Sequence, residues 1–346
     1  MPSTRDPRAD MKTILILLAW AFAALPGTAR AQDASPHAID IPPWFANTFL
    51  DFREDVADAA KEGKRLLVYV GQDGCPYCRK LMTANFSQRA IVDKTRKHFV
   101  AIALNLWGDR ETTWIDGRTM SEKALAQALD VQFTPSVLFL DERGKVVVRL
   151  DGYYPPRQFE AVLDYVAGRH EGREPLADWL QRVAKEPASP RLADEPFFLS
   201  PPHDLRRRPG AKPLAVVFET VDCPPCDEMH REGFRRREVQ EQVARFDVVR
   251  FSLAAATPLR TPDGRATTAQ AWARELGIAW TPSIVYFDAA GAEVFRISAY
   301  LRPFHLSSSF AYVADRGYAS EPSFQRWLQA RAEHLRAQGE RIELWE

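Results

Sequence analysis

Two stretches determine the fold of this chain: LLVYVGQDGCPYCRKLMTANF at residues 66–86 and LAVVFETVDCPPCDEMHREGF at residues 214–234. They align at an offset of 148, and the two cysteines of one fall on the two cysteines of the other. The likeness continues downstream, where DVQFTPSVLFLDERGKVV (130–147) matches GIAWTPSIVYFDAAGAEV (277–294). A nearly constant offset over so many positions predicts two copies of one domain.

The repeat predicts domains at about 40–187 and 195–346. The turn-rich stretch KEPASP at 185–190 marks their boundary. The similarity reaches the tails of both copies, where Trp179-Leu180-Gln181 matches Trp327-Leu328-Gln329.

Each copy has the pattern of an α/β domain. We predict, for the first copy, a strand at Leu66–Val70, a helix from the cysteines to Lys97, a strand at Phe99–Leu104, a helix at Ser121–Leu129, a hairpin of Val137–Leu140 and Val146–Leu150, and a closing helix at Arg157–Ala167. This order predicts a central sheet covered by helices on both faces. The second copy has a shorter, proline-rich entry and is expected to lack the helix that DFREDVADAAKEG predicts for the first.

Composition narrows the class of protein. The chain has 346 residues, 46 basic and 46 acidic, and 46% of its residues are apolar. These values exclude a disordered charged protein and disfavour a nucleic-acid binder, which would be basic. Four cysteines are too few for a disulfide-stapled mini-protein.

The N-terminus has the three parts of a secretory signal peptide. Basic residues occur within residues 1–12, an apolar run follows at 13–25, and Ala29-Arg30-Ala31 is a small-residue cleavage site. We predict a signal peptide at 1–31 with cleavage before Gln32.

The alternative is an uncleaved membrane anchor, but the apolar run is shorter than the roughly 20 residues that span a bilayer. Translation starts at Met1 or at Met11. Without residues 1–31 the chain has 42 basic and 44 acidic residues, a net charge of −2. Export would place it in an oxidising compartment, where disulfides persist.

All four cysteines belong to Cys-x-x-Cys pairs, each between an apolar strand and a helix. The N-terminus of a helix favours an anion and can lower the pKa of a thiol from about 8.5 to about 3.5–7.5. We therefore predict that Cys75 and Cys223 are nucleophiles in thiol–disulfide exchange. Cys78 and Cys226, one turn along, would resolve the mixed disulfide.

Other roles for the cysteines fit less well. A shared zinc site is disfavoured by the 144 residues between Cys78 and Cys223, and a haem site would need histidine where Arg79 and Asp227 stand. Purely structural disulfides remain an alternative, although closing so short a loop contributes little stability. The seven histidines show no metal-ligand spacing, and His230 is predicted to lie on an exposed helix face. The sequence thus predicts no metal and no cofactor.

The chain resembles the thioredoxin superfamily, and the motifs that carry the likeness are Cys75-Pro76-Tyr77-Cys78 with Thr134-Pro135 and Cys223-Pro224-Pro225-Cys226 with Thr281-Pro282. The resemblance implies two tandem thioredoxin-like domains, each a mixed sheet flanked by helices. It also implies that both later prolines are cis and, with their threonines, help bind an extended partner peptide.

Within that superfamily the chain is most similar to periplasmic SoxW-like thioredoxins, although those are usually single domains. They keep extracytoplasmic thiols reduced with electrons from a membrane protein of the DsbD/CcdA type. The resemblance therefore implies a periplasmic reductase or electron relay whose partners are protein thiols and disulfides and not nucleic acid. An oxidase or isomerase, or a non-catalytic binding scaffold, remains the alternative, and the oligomeric state is open.

A typical thioredoxin has a buried acid six residues before its first cysteine. Here those positions hold Tyr69 and Val217. Proton transfer must therefore differ, and in the second copy Glu219 or water could take part.

The charges beside the two pairs differ. Arg79 and Lys80 follow the first pair, although Asp73 precedes it. The second pair is surrounded by Asp222, Asp227 and Glu228. Positive charge stabilises a thiolate, and a stabilised thiolate favours the reduced form. The first pair is therefore predicted to be more oxidising and to receive electrons from the second.

Overall fold

The computed structural model describes residues 38–183, 191–208 and 210–342. The predicted signal peptide at 1–31 and the predicted boundary at 185–190 lie outside the described residues. The described residues from Ile39 onward form one compact unit that contains both repeats. In the described ranges, no helix has the length and apolar character needed to cross a membrane.

The first repeat is built on a four-stranded mixed sheet. The strands of this repeat are β1 (Arg65–Gly71), β2 (Phe99–Asn105), β3 (Glu111–Thr113), β4 (Thr119–Ser121), β5 (Ser136–Leu140) and β6 (Val146–Asp151). The order in the sheet is β2-β1-β5-β6, with β1 parallel to β2 and antiparallel to β5. β3 and β4 form a separate hairpin.

Helices cover both faces of this sheet. They are α1 (Phe52–Lys61), α2 (Pro76–Lys80), α3 (Arg89–His98), α4 (Glu122–Ala128), α5 (Pro156–Ala167) and α6 (Leu176–Val183). Every residue of β1 is buried, and its side chains alternate between two cores. Leu67 and Tyr69 point into the core that holds both cysteines, and Val68 points into the other.

The second repeat has the same architecture. Its strands are β7 (His203–Asp204), β8 (Leu214–Glu219), β9 (Asp247–Ser252), β10 (Pro258–Arg260), β11 (Ala266–Thr268), β12 (Ser283–Phe287) and β13 (Glu293–Ile297). Its helices are α7 (Pro224–Glu228), α8 (Arg237–Val243), α9 (Ala269–Glu275), α10 (Pro303–Ala314), α11 (Gly317–Ser320) and α12 (Phe324–Ala337). The sheet order β9-β8-β12-β13 repeats that of the first sheet. The predicted fold class, two α/β domains with mixed sheets flanked by helices, is therefore confirmed.

The entry to the second repeat differs as predicted. In the described residues between 191 and 213, the chain has no counterpart of α1 and forms only the short strand β7, which pairs with β10.

The helix after the first cysteine pair is shorter than predicted. α2 continues as a π-helical turn over Leu81–Asn85, and α3 begins only at Arg89, after Gln88 in an extended conformation. A single helix reaching Lys97 is therefore wrong. The chain turns at Phe86 because this ring is buried, 5% exposed, in a cluster of aromatic rings.

The two repeats exchange aromatic side chains across their interface. Trp280, which precedes β12, lies in the core of the first repeat with its ring centroid 4.0 Å from that of Tyr154. At the matching place before β5, Phe133 lies in the core of the second repeat, 5.7 Å from the ring of Phe324. Both exchanged side chains are only 7% exposed. Each core is therefore completed by the other repeat.

We expect Trp280→Ala to lower the free energy of unfolding by about 3–5 kcal/mol, the usual cost of removing a large buried aromatic side chain. Urea denaturation followed by circular dichroism measures this. The control is Phe49→Ala, which removes a side chain that is 99% exposed and should change stability by no more than about 0.5 kcal/mol. Equal costs for the two variants would contradict the exchanged-core interface.

Candidate functional site

The first pair of cysteines forms a disulfide at the start of α2. The Cα atoms of Cys75 and Cys78 are 5.2 Å apart. Cys75 is the N-cap residue, and its Sγ accepts a hydrogen bond of 3.0 Å from the backbone N–H of Cys78. The first N–H groups of a helix lack partners within the helix, so this position favours a thiolate once the disulfide is reduced. Pro76, at the first helical position, sacrifices no hydrogen bond.

The second pair repeats this geometry. Cys223 caps α7, its Cα atom lies 5.2 Å from that of Cys226, and its Sγ accepts a hydrogen bond of 3.2 Å from the Cys226 N–H. Cys75 and Cys223 are only 4% and 6% exposed. Both disulfides are therefore recessed.

A cis proline accompanies each disulfide. The peptide bonds Thr134–Pro135 and Thr281–Pro282 are cis, as the resemblance implies. Cys75 Sγ lies 3.3 Å from the carbonyl oxygen of Thr134. The structure thus brings the predicted residues of the first site together, and Thr281 lines the cavity that holds Cys223.

The charges that flank the two pairs differ, although one acidic residue, Asp73, accompanies the basic ones at the first pair. Arg79 and Lys80 are exposed beside the first pair, and the Lys80 ammonium lies 4.6 Å from the centre of the Tyr153 ring. Asp222 and Glu228 are exposed beside the second pair. The charge difference that the sequence predicts is therefore present on the surface at each site.

The two repeats differ in the buried side chains at two corresponding positions of β1 and β8. In the first repeat, Tyr69 directs its hydroxyl against Gly71, where any side chain would overlap it. In the second repeat, the residues at these positions are Val217 and Glu219, and the Glu219 carboxylate is buried, 1% exposed. Burial raises the pKa of Tyr69 well above its usual value. The first site therefore has a neutral hydroxyl where the second repeat has a carboxylate.

His230 is buried and not exposed as predicted. Its side chain is 5% exposed, with Nε2 2.9 Å from Glu219 Oε1 and Nδ1 2.9 Å from Glu195 Oε1. Desolvation lowers the pKa of His230, but the two carboxylates outweigh it and raise that pKa above 6.5. The signal in the sequence is its position four residues after Cys226, in the π-helical segment Met229–Phe234 that continues α7. Among the described residues, no three His, Cys, Asp or Glu side chains are placed to hold a metal ion.

Each disulfide opens into a cavity walled by both repeats. The cavity at Cys75 has a volume of about 440 Å³, and that at Cys223 about 260 Å³. The cavities have no signal in the sequence, because the repeat pattern does not reveal how the two copies pack.

The family model of the thioredoxin-like domain matches residues 52–167 and 207–314, more than half of the chain. The comparison with curated proteins found no significant match.

Solved structures with a similar fold each cover part of the chain. A thioredoxin-fold protein from Helicobacter pylori is 26% identical, covers 39% of this chain and 92% of its own, and has a TM-score of 0.32. A thioredoxin from Thermus thermophilus is 25% identical, covers 36% of this chain and 90% of its own, and has a TM-score of 0.29. The C-terminal domain of Neisseria meningitidis DsbD is 18% identical, with coverages of 30% and 82% and a TM-score of 0.24.

We expect His230→Gln to destabilise the protein by about 3–5 kcal/mol at about pH 6, because it leaves a buried carboxylate without its partner. A raised histidine pKa contributes stability that is complete below pH 6.5 and is lost as the pH rises through the folded-state pKa. The cost of the substitution should therefore shrink between about pH 6 and about pH 9. Denaturation at several pH values measures it.

The control is His334→Gln on the exposed face of α12, with an expected effect within about 0.5 kcal/mol at each pH. A cost for His230→Gln that does not change with pH would contradict the charged state of this cluster.

Proposed function

Because the chain belongs to the thioredoxin-like domain family, we propose that it is a thiol–disulfide oxidoreductase that works as a reductase or electron relay on protein substrates. The observation that carries this proposal is the pairing of each disulfide with a helix N-terminus and a cis proline. In this arrangement, one sulfur is activated and faces a cavity, and the other lies one turn behind it.

The exchange needs only the cysteines. In the reduced protein, the Cys75 thiolate attacks one sulfur of a substrate disulfide, and the other substrate sulfur leaves as a thiolate that takes a proton from water. Cys78 then loses its proton and attacks Cys75 Sγ, which releases the second substrate thiol. Two electrons have passed to the substrate, and the pair is again a disulfide. Cys223 and Cys226 would perform the same steps in the second repeat.

The substrate-binding role belongs, in this proposal, to Thr134 and Pro135 in the first repeat and to Thr281 and Pro282 in the second. Thr134 is supported by its carbonyl oxygen, 3.3 Å from Cys75 Sγ. A peptide laid along this loop would have its own sulfur next to the nucleophile.

The site of action in this proposal is the periplasm, supported by the signal-peptide pattern at residues 1–31. A SoxW-like role follows from the combination of export with thioredoxin motifs. The reduced state would be regenerated by a membrane electron donor of the DsbD/CcdA type.

We expect the purified protein to accelerate reduction of a disulfide-linked pair of short peptides by dithiothreitol, and the variant with all four cysteines changed to serine to be inactive. Cys78→Ser and Cys226→Ser should each accumulate a mixed disulfide with the peptide, because the resolving thiol is missing. Chromatography and mass spectrometry measure both results. A protein without turnover and without trapped intermediates would be a binding scaffold.

We expect the first pair to have the higher reduction potential, by about 30 mV or more, equivalent to about 1.4 kcal/mol for two electrons. The reason is the basic side chains beside the first pair and the carboxylates beside the second. Redox titration of two variants, each retaining one pair, measures the difference. Equal or reversed potentials would refute the relay direction.

The same titration separates reductase from oxidase. A reductase should show potentials near the value of about −270 mV found for thioredoxin, whereas a disulfide oxidase would lie near about −120 mV.

A further inference from the structure

The last helix of each repeat lies over the cysteine site of the other repeat. The cavity at Cys75 is lined by Gln325, Leu328 and Gln329 of α12, and the cavity at Cys223 by Ala177, Leu180 and Gln181 of α6. These two sets are related by the same offset of 148 that relates the cysteines. The C-terminal helices, which match each other in the sequence repeat, therefore form part of the walls of the two cavities.

We propose that the cavity at Cys75 binds a cysteine carried on a short, extended chain segment, and that α12 excludes disulfides on folded protein surfaces. The proposal rests on the proposed function and specifies the substrate class of the same site.

The size and depth of the cavity support this substrate class. Its volume of about 440 Å³ lies in the range of about 300–1,000 Å³ typical of pockets that enclose small ligands. Cys75 lines this cavity together with α12 and is only 4% exposed. A folded partner usually docks through about 800 Å² of surface, and a surface of that size would meet α12 before it reached the sulfur. A segment of a few residues can enter the cavity.

The chemistry of the walls suits a peptide. Gln329 and Thr134 offer amide and hydroxyl groups, and each peptide unit brings one donor and one acceptor. The rings of Trp107, Tyr153 and Tyr300 provide apolar surface for flanking side chains. The walls therefore combine polar contacts for a backbone with apolar contacts for side chains.

The walls do not favour a polyanionic small disulfide. Among the described lining residues, Asp73 and Glu333 oppose the single arginine, Arg336. His305 also lines the cavity, and burial lowers its pKa to about 4, so it is uncharged at neutral pH. An extended peptide without strong charge fits this environment better.

Hydrogen bonds hold α12 in place over the first site. Gln72 Nε2 donates to Thr134 Oγ1 (2.9 Å) and to Gln325 Oε1 (3.1 Å), and Gln325 Nε2 donates to the carbonyl oxygen of Gln132 (2.9 Å). These hydrogen bonds connect α12 to the loop that carries the cis proline. In the second site, the position that corresponds to Gln325 holds Ala177, which has no side-chain amide to form these hydrogen bonds.

The test uses the full chain with Cys223→Ser and Cys226→Ser, so that only the first pair reacts. Dithiothreitol supplies the electrons, and the substrates are hydroxyethyl disulfide, a disulfide-linked pair of short neutral peptides, and native ribonuclease A. Each rate is divided by the rate with dithiothreitol alone. We expect acceleration for the first two substrates and none for native ribonuclease A.

Two variants then probe the wall. Gln329→Trp narrows the cavity and should lower kcat/KM for the peptide by about tenfold, while the rate for hydroxyethyl disulfide stays within about twofold. The control, Ala330→Trp, places the same side chain on an exposed position of α12 that does not line the cavity, and it should change neither.

The outcomes separate the two proposals. Acceleration with native ribonuclease A equal to that with the peptide, or equal effects of the two tryptophan variants, would overturn the substrate class and leave the reductase function standing. No acceleration with any of the three substrates would overturn the proposed function and this inference with it.

Discussion

The constraint on which this structure depends is the junction between a fully buried strand and the helix that follows it. β1 and β8 are buried on both faces, so the chain has to leave each strand at its end and immediately cover the sheet with a helix. The first turn of that helix has unpaired N–H groups, and a cysteine occupies the capping position. The cysteine sulfur thus accepts a hydrogen bond that an N–H group of the first turn would otherwise lack, and the same contact activates the sulfur. The position of the reactive sulfur is therefore set by where the buried strand ends.

The second organising contact is the exchange of Phe133 and Trp280 between the cores. Both residues precede the strand that begins after a cis proline. Their burial in the opposite repeat holds the two proline loops at the interface. The repeats therefore meet as the subunits of a two-fold homodimer would, with like surfaces in contact. Because both disulfides lie next to these loops, the interface that stabilises the protein also decides what can reach the sulfur atoms.

Sequence reasoning recovers the parts of this structure that depend on local pattern. The repeat offset, the continuous apolar runs of the strands and the helix-opening cysteine pairs are visible in the residues themselves, and the fold follows from them. Contacts between the copies are not visible, because an aromatic residue before a strand has the same pattern whether it enters its own core or its neighbour's. The error at His230 has a related cause. A histidine on a helix is expected to be exposed, because burying a polar ring costs free energy. Here Glu195 and Glu219, which are distant in sequence, approach the ring and make its burial tolerable.

The different buried side chains in the strands that precede the two disulfides, Tyr69 in the first repeat and Glu219 in the second, have a consequence for the history of the chain. A glutamate introduced at Gly71 alone would collide with Tyr69, and a valine introduced at Tyr69 alone would leave a void and would supply no carboxylate. Conversion of the first copy would also need a partner for the new carboxylate, because Glu219 is paired with His230 and the first repeat has Met82 at that position. Since the duplication, the two halves have therefore acquired side chains that depend on one another, and each single exchange between them at this place would lower stability although both halves keep the same order of strands.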